Sequence, residues 1–210
     1  MIWIIGKNGV VASALIRLCQ IKGINFFATS SAECNLLEKG ASSRIMNNYP
    51  MTKIINTAAY TAVDLAEQEK EKAFDLNFRA AVELSSQAKN RGIKLIHFST
   101  DYVFDGMKQT PYLETDETNP LNVYGLSKLA FENYLLNEDK NALVIRTSWV
   151  FGSIGHSFVK AMVKLMLKHQ RVSVVTDQIS RPTYSGDLAK ATLLLQDCCG
   201  LYHFANQEIL

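Results

Sequence analysis

Residues 1–23 constrain the fold more than any other stretch of the chain. MIWII is a short apolar run, GKNG a turn with glycines at positions 6 and 9, and VVASALIRLCQIKG carries Val11, Leu15, Leu18 and Cys19 at helical spacing. A buried strand, a glycine turn and a helix in direct succession are the opening of a dinucleotide-binding fold. Gly6 and Gly9 let the backbone turn tightly and bring its amides close to a pyrophosphate at a helix N-terminus. Ala12 stands where a third glycine would ease packing of helix on sheet. Taken alone, two glycines are weak evidence, and a plain strand-to-helix connection is the lesser alternative given the strand before and the helix after.

The rest of the chain repeats the alternation. INFFATS, KIINTAAY, KLIHFSTDYVF, ALVIRTSWVFG (ending at Trp149) and VSVV read as strands, and LYHFANQEIL starts as one. Between them lie a short helix in CNLLEKGASSRIMNNYP and one or two helices in AVDLAEQEKEKAFDLNFRAAVELSSQAKNRG. Next come a helix from Tyr124, an amphipathic helix in HSFVKAMVKLMLKHQRV, a turn at Pro182, and a helix in SGDLAKATLLLQDCCG. Strands alternating with helices predict an α/β fold with a doubly wound parallel sheet, and 48% hydrophobic residues suffice to bury it. The 22 basic and 20 acidic residues leave a net charge of +2, too balanced for a nucleic-acid or membrane surface; a small-molecule partner is expected. No apolar run approaches the roughly 18 residues of a membrane span, and MIWII is too short for a signal segment and has no basic residues before it. Cys19, Cys34, Cys198 and Cys199 form no C-x-x-C pattern, so buried thiols in a reduced, cytoplasmic compartment are expected.

The stretch Ser99–Lys128 carries the chemistry. A Ser-Thr-Asp triplet follows the apolar run KLIHF, and Tyr124-x-x-x-Lys128 opens the next helix. Tyrosine and lysine four residues apart stack on one helix face, within reach of one ligand. A phenol with a pKa of about 10 is a poor acid–base group near neutrality, and a nearby ammonium is expected to lower it, so Lys128 reads as the tuner of Tyr124. Thr100 or Ser99 can hydrogen-bond a substrate carbonyl or alcohol beside the phenol. An isolated pair of this kind is usually solvated surface. Small Ala58 and Ala59 leave room for a flat ring or ribose, or reflect tight packing. Asn77, among apolar neighbours, reads as a satisfied buried amide, and the turn-rich link DGMKQTPYLETDETNPLN as a functional loop. After INFFATS no acid occurs until Glu33 to bond an adenosine ribose, and no arginine to demand a 2′-phosphate, so NADPH or NADH remains open with a lean to NADPH.

The blocks GKNGVVAS, NTAAYTAVDLAE, FSTDYVFDG, ETDETNPLNVYGLSKLAFE, IRTSWVFG and DQISRPTYSGDLA, in this order, resemble the extended short-chain dehydrogenase/reductases over essentially the whole chain. The resemblance implies a Rossmann-type NAD(P)-binding domain over residues 1–150. Over 151–210 it implies part of a smaller substrate-binding region, interleaved with the main sheet. It also implies reduction by NADPH or NADH of the 4-keto group of a dTDP-sugar substrate, dTDP-4-dehydro-6-deoxy-L-mannose, to dTDP-L-rhamnose for surface polysaccharide. By the same resemblance Thr100, Tyr124 and Lys128 match the catalytic triad. Gly6, Lys7, Asn8, Gly9, Val10 and Val11 match the phosphate turn, Asn35 and Leu36 the adenine side, and Ala58, Ala59, Tyr60 and Thr61 the nicotinamide half, where Tyr124 and Lys128 also touch the cofactor. Thr100, Asp101, Tyr102 and Trp149 match substrate-facing positions, although Trp149 by itself reads as a core aromatic. Asn35 replaces a usual aspartate and Ser180 a usual glycine. The family continues past the point where this sequence stops, so an exposed apolar face is expected, with a homodimer as one way to cover it. Mg2+ is a possible family cofactor, with ligands expected in that further segment and none assigned here. A non-catalytic binding subunit, or an epimerase or dehydratase of the same group, stays open.

Overall fold

The computed structural model describes residues 1–155, 157–168, 171–173 and 178–207. In chain order it runs β1 (Ile2–Ile5), α1 (Val10–Lys22), β2 (Phe26–Thr29), α2 (Ala41–Asn48), β3 (Lys53–Asn56), α3 (Val63–Ala66) and α4 (Lys70–Phe74). A π-helical turn (Asp75–Arg79) leads into α5 (Ala80–Asn90), then β4 (Lys94–Thr100), a 3-10 turn (Asp101–Val103) and α6 (Val123–Glu138). The remainder is β5 (Leu143–Thr147), β6 (Val150–Phe151), α7 (Phe158–Lys168), β7 (Thr183–Tyr184), α8 (Ser185–Leu194) and β8 (Gly200–His203).

Six strands form one sheet in the order β2-β1-β3-β4-β5-β8, and every pairing is parallel. The fold is the expected Rossmann-type doubly wound sheet. Parallel strands covered on both faces must be apolar on both, which is why IWII has no polar position. Trp3 and Ile5 pack with Ile54, Leu84, Leu95 and Phe131 on one side, and Ile2 and Ile4 with Leu15, Ile55, Ile96 and Leu188 on the other. The chain leaves β1 toward β2 and later returns to β3 on β1's other flank. The crevice at the carboxyl ends of β1 and β3 is therefore the topological switch point where open α/β sheets bind ligands.

Several expectations are corrected. The stretch read as one or two helices is α3, α4 and α5 joined through the π turn. The strand expected to run to Trp149 stops at Thr147, and Val150–Phe151 pairs with Thr183–Tyr184 in a separate two-stranded sheet. At the corner between them Trp149 takes φ 45°, and among the described residues no other non-glycine has positive φ. Of the expected strand VSVV, Val172 and Ser173 are not in a strand, and Val174 and Val175 lie outside the described residues. Cys19 and Cys34 are buried thiols as expected, but Cys199 is exposed and Cys198 only half-buried. No helix among the described residues is long and apolar enough to cross a membrane. α7 has no buried residue and leaves Val163, Met166 and Leu167 52–82% exposed.

Behind the site, β5, α6 and β8 are joined by a buried ion pair. Arg146 Nε donates to both carboxylate oxygens of Glu132 at 3.1 Å, with the two side chains 6% and 1% exposed. Arg146 Nη1 meets His203 Nε2 at 3.2 Å, and the His203 amide donates to Glu114 Oε1 at 2.7 Å, which ties the 105–121 loop to the sheet edge. Replacing one member leaves the other charge buried without its counterion. Glu132→Leu is expected to cost about 3–5 kcal/mol in urea unfolding, far more than an exposed pair of the same geometry.

Candidate active site

Three elements bring the Ser99–Lys128 chemistry together. β4 ends at Thr100, whose backbone is extended and whose hydroxyl caps the 3-10 turn by accepting the Tyr102 amide at 3.2 Å. Asn122 caps α6 by accepting the Gly125 amide at 2.7 Å, which starts the helix one residue before Tyr124. Asn77 in the π turn fills the space between, its Oδ1 accepting the Tyr60 amide at 2.8 Å while its Nδ2 donates to Tyr60 O at 3.1 Å and Ser127 Oγ at 2.9 Å. It is the satisfied buried amide expected, and it locks the loop after β3 to α6.

Thr100, Asp101, Tyr102 and Tyr124 converge. The Tyr102 and Tyr124 rings meet edge to face at 5.7 Å and 79°. Burial pushes the Tyr124 phenol up to about 12, against the opposing pull of the Thr100 hydroxyl beside it; Asp101 and Tyr102 raise it further. Asp101 is itself raised by burial; Thr100 Oγ1 donates to its Oδ1 at 3.1 Å and Ser180 Oγ to its Oδ2 at 3.2 Å. Ser180 thus ties the 178–182 segment to the end of β4. Trp149 is half-buried rather than core, its ring 5.2 Å from that of Phe158. A positive φ at a bulky residue costs about 1–3 kcal/mol, and such outliers cluster where a ligand is bound.

The expectation that Lys128 lowers the Tyr124 phenol is not met. Lys128 is 3% exposed; burial, opposed by the Glu132 carboxylate, drives its amine down to about 7, and its Nζ lies 2.9 Å from His97 Nε2. A nitrogen so desolvated has lost much of its charge near neutrality, and with it the means to hold a phenolate. Sequence reading passed over His97 because it sits inside the apolar run KLIHF.

At the switch point Gly6 has φ 88°, and a Cβ there would lie 2.8 Å from Thr57 Oγ1, so only backbone fits between the ends of β1 and β3. α1 starts from Gly9 with no side-chain cap, leaving the amides near Val10 and Val11 available to an anion. Lys7 Nζ reaches across to Glu33 Oε1 at 2.6 Å, and the Ser30 amide and hydroxyl donate to Glu33 Oε2 at 2.7 Å each, so Glu33 is held down at about 2 by Lys7 first and then Ser30. The acid that the sequence places late is therefore brought beside the glycine turn, where a ribose hydroxyl can meet it. Asn35 bends back to accept the Leu37 amide at 3.1 Å, and Leu36 is buried in the core. Ala58, Ala59, Tyr60 and Thr61 follow β3 at the crevice, with Tyr60 anchored by its hydroxyl to Glu69 at 2.8 Å. Ser99 Oγ is, among the described residues, the one buried side-chain nitrogen or oxygen without a hydrogen-bond partner. Among those residues no group of three or more His, Cys, Asp or Glu is placed to hold a metal ion.

The RmlD substrate binding domain family matches this chain over residues 1–210, the whole of the site included. The chain belongs to that family. As a member of the RmlD family it is 37% identical over 213 residues to the dTDP-4-dehydrorhamnose reductase of Aggregatibacter actinomycetemcomitans, an alignment covering 97% of this chain and 72% of that protein. The RmlD fold superposes on the crystal structure of a dTDP-4-dehydrorhamnose reductase from Clostridium acetobutylicum with a TM-score of 0.94 at 32% identity. It superposes on the dTDP-4-dehydrorhamnose reductase of Bacillus anthracis, solved in complex with NADP, with a TM-score of 0.93 at 31% identity. Each superposition covers 99% of this chain and 75% of the other.

Proposed function

We propose that this RmlD-family chain is an oxidoreductase that uses NADPH or NADH to reduce the 4-keto group of dTDP-4-dehydro-6-deoxy-L-mannose, giving dTDP-L-rhamnose. The observation that carries the reading is Tyr124: a phenol kept protonated by burial, beside a strand-end threonine hydroxyl, at the carboxyl edge of a dinucleotide-type sheet. The relatives named for this reaction, one of them holding NADP, support it.

The bare glycine crevice, the uncapped start of α1 and the orphaned Ser99 hydroxyl fit a dinucleotide, with Gly6 to Val11 on the pyrophosphate, Glu33, paired to Lys7, on the adenosine side, and Ala58 to Thr61 on the nicotinamide side. When bound, the nicotinamide supplies a hydride, two electrons and a proton's mass, to the carbonyl carbon. The chain supplies the rest. Tyr124 gives its phenolic proton to the oxygen as charge develops there, and a phenol held up at about 12 by burial is neutral and carries that proton near neutral pH. Thr100, by turning its hydroxyl proton from Asp101 Oδ1 to the carbonyl oxygen, fixes that oxygen beside Tyr124. The tyrosinate then regains a proton from solvent. Asp101, Tyr102 and Trp149 orient the sugar, and residues 151–210 are the part of the chain that contributes most to the nucleotide-sugar side.

Cofactor occupancy separates this reading from an epimerase or dehydratase, which keeps its nucleotide through a catalytic cycle. The purified protein is expected to emerge free of NAD and to take up and release added NADPH reversibly. NAD retained through gel filtration and released only on unfolding would assign it to the other class.

A further inference from the structure

The far side of Lys128 is the part of the site with no role so far. His97, on β4, is 1% exposed and is the register partner of Asn56 on β3. Its ring is held edge-on to Phe131 at 4.6 Å and 79°. One ring nitrogen, Nε2, lies 2.9 Å from Lys128 Nζ, and the other, Nδ1, lies 3.4 Å from Asn56 Nδ2. The Asn56 amide cannot be turned round, because its Oδ1 accepts the Ala58 amide at 3.1 Å. An N–H donor pointed at Nδ1 requires that nitrogen to be bare. A neutral ring then carries its single proton on Nε2, and that proton can only be given to a Lys128 nitrogen with a free lone pair.

We propose that His97 is a positioning residue for Lys128: with Asn56 fixing the ring proton on Nε2, the imidazole donates to Nζ and holds Lys128 as the free amine in the cofactor-free protein. The ring is not a proton route to solvent, since its other nitrogen ends on Asn56. Burial, and after it Lys128, keep His97 itself well below the usual imidazole range, so the ring stays neutral. The groups facing the pair are few. On α6 they are Tyr124 one turn before and Glu132 one turn after Lys128, the latter held by Arg146 of β5. On the turn after β4, Asp101 and Tyr102 act on Tyr124. β3 offers only the neutral Asn56, and the π turn the neutral Asn77.

The consequence for turnover rests on the reductase reading. An ammonium next to Tyr124 makes the phenol a better proton donor, so the pH at which Lys128 loses its charge sets a basic limb in the rate, and the Asn56–His97 pair sets where that limb falls.

The test is the position of the ring proton, read by nitrogen-15 NMR of histidine-labelled, cofactor-free protein, which needs no turnover and so fails or holds separately from the reductase reading. The expected result is the proton on Nε2 of His97 near pH 8. Asn56→Asp supplies a carboxylate that accepts from Nδ1, so the proton should move to Nδ1 and the basic limb of kcat/KM should shift upward by at least tenfold in proton concentration. In a His97→Phe background the same Asn56→Asp change has no ring to act through and should shift the limb far less. A proton on Nδ1 in the unsubstituted protein would overturn the proposal, as would equal limb shifts with and without the His97 ring.

Discussion

Gly125→Ala is expected to abolish most activity and to destabilise the fold, although the change is one methyl, because Gly125 is buried in the first turn of α6. A Cβ at Gly125 would lie 2.2 Å from the Tyr102 carbonyl oxygen, 3.0 Å from its carbon and 3.1 Å from Pro120 Cβ. The first two are backbone, so no side-chain rotation relieves the contact. The first turn of α6 would have to withdraw from the 3-10 turn, and Tyr124 is the residue it carries. Overpacking of this kind costs about 1–3 kcal/mol. A displacement near 1 Å at the reacting centre costs on the order of 10²-fold in rate. Thermal unfolding and steady-state kinetics measure the two effects separately. Wild-type kcat and Tm in Gly125→Ala would show that the close approach of α6 to Tyr102 does not position the phenol.

Tyr124→Phe is the second large effect. The ring is retained, so its edge-to-face contact with Tyr102 is kept, and the oxygen alone is lost. Stability should change little. Turnover should fall by about 10²–10⁴-fold, the range for loss of a general acid, while NADPH affinity, measured by fluorescence titration, should stay near that of the unsubstituted protein. A variant that retains full turnover would mean that the proton comes from elsewhere, and Asp101, whose carboxyl is raised by burial and which acts on the Tyr124 phenol, would be the next residue to replace.

What was legible in the sequence follows from which interactions are local. IWII, KLIHFST and LVIRT were readable as strands because a strand buried on both faces must be apolar throughout, and the Tyr124–Lys128 face because helical spacing is fixed. The π turn at Asp75–Arg79 was not readable. Its reason is Asn77, whose partners Tyr60 and Ser127 lie 17 and 50 residues away. Trp149 read as core because the strand pattern runs through it, whereas the backbone turns there through positive φ to reach β7. His97 and Lys128 are 31 residues apart and His97 and Asn56 are 41 apart, so no local pattern connects them. The charge state of Lys128 was misjudged for the same reason: spacing places it beside Tyr124, but burial and a cross-sheet partner decide its proton.

The central claim is tested most directly by following NADPH oxidation by this chain with dTDP-4-dehydro-L-rhamnose, with Tyr124→Phe run in parallel and the sugar product identified. The account predicts consumption of one NADPH per dTDP-L-rhamnose formed, and its near-complete loss in the variant. NADPH that binds without being oxidised in either protein would contradict it and identify the chain as a cofactor-binding protein without reductase activity.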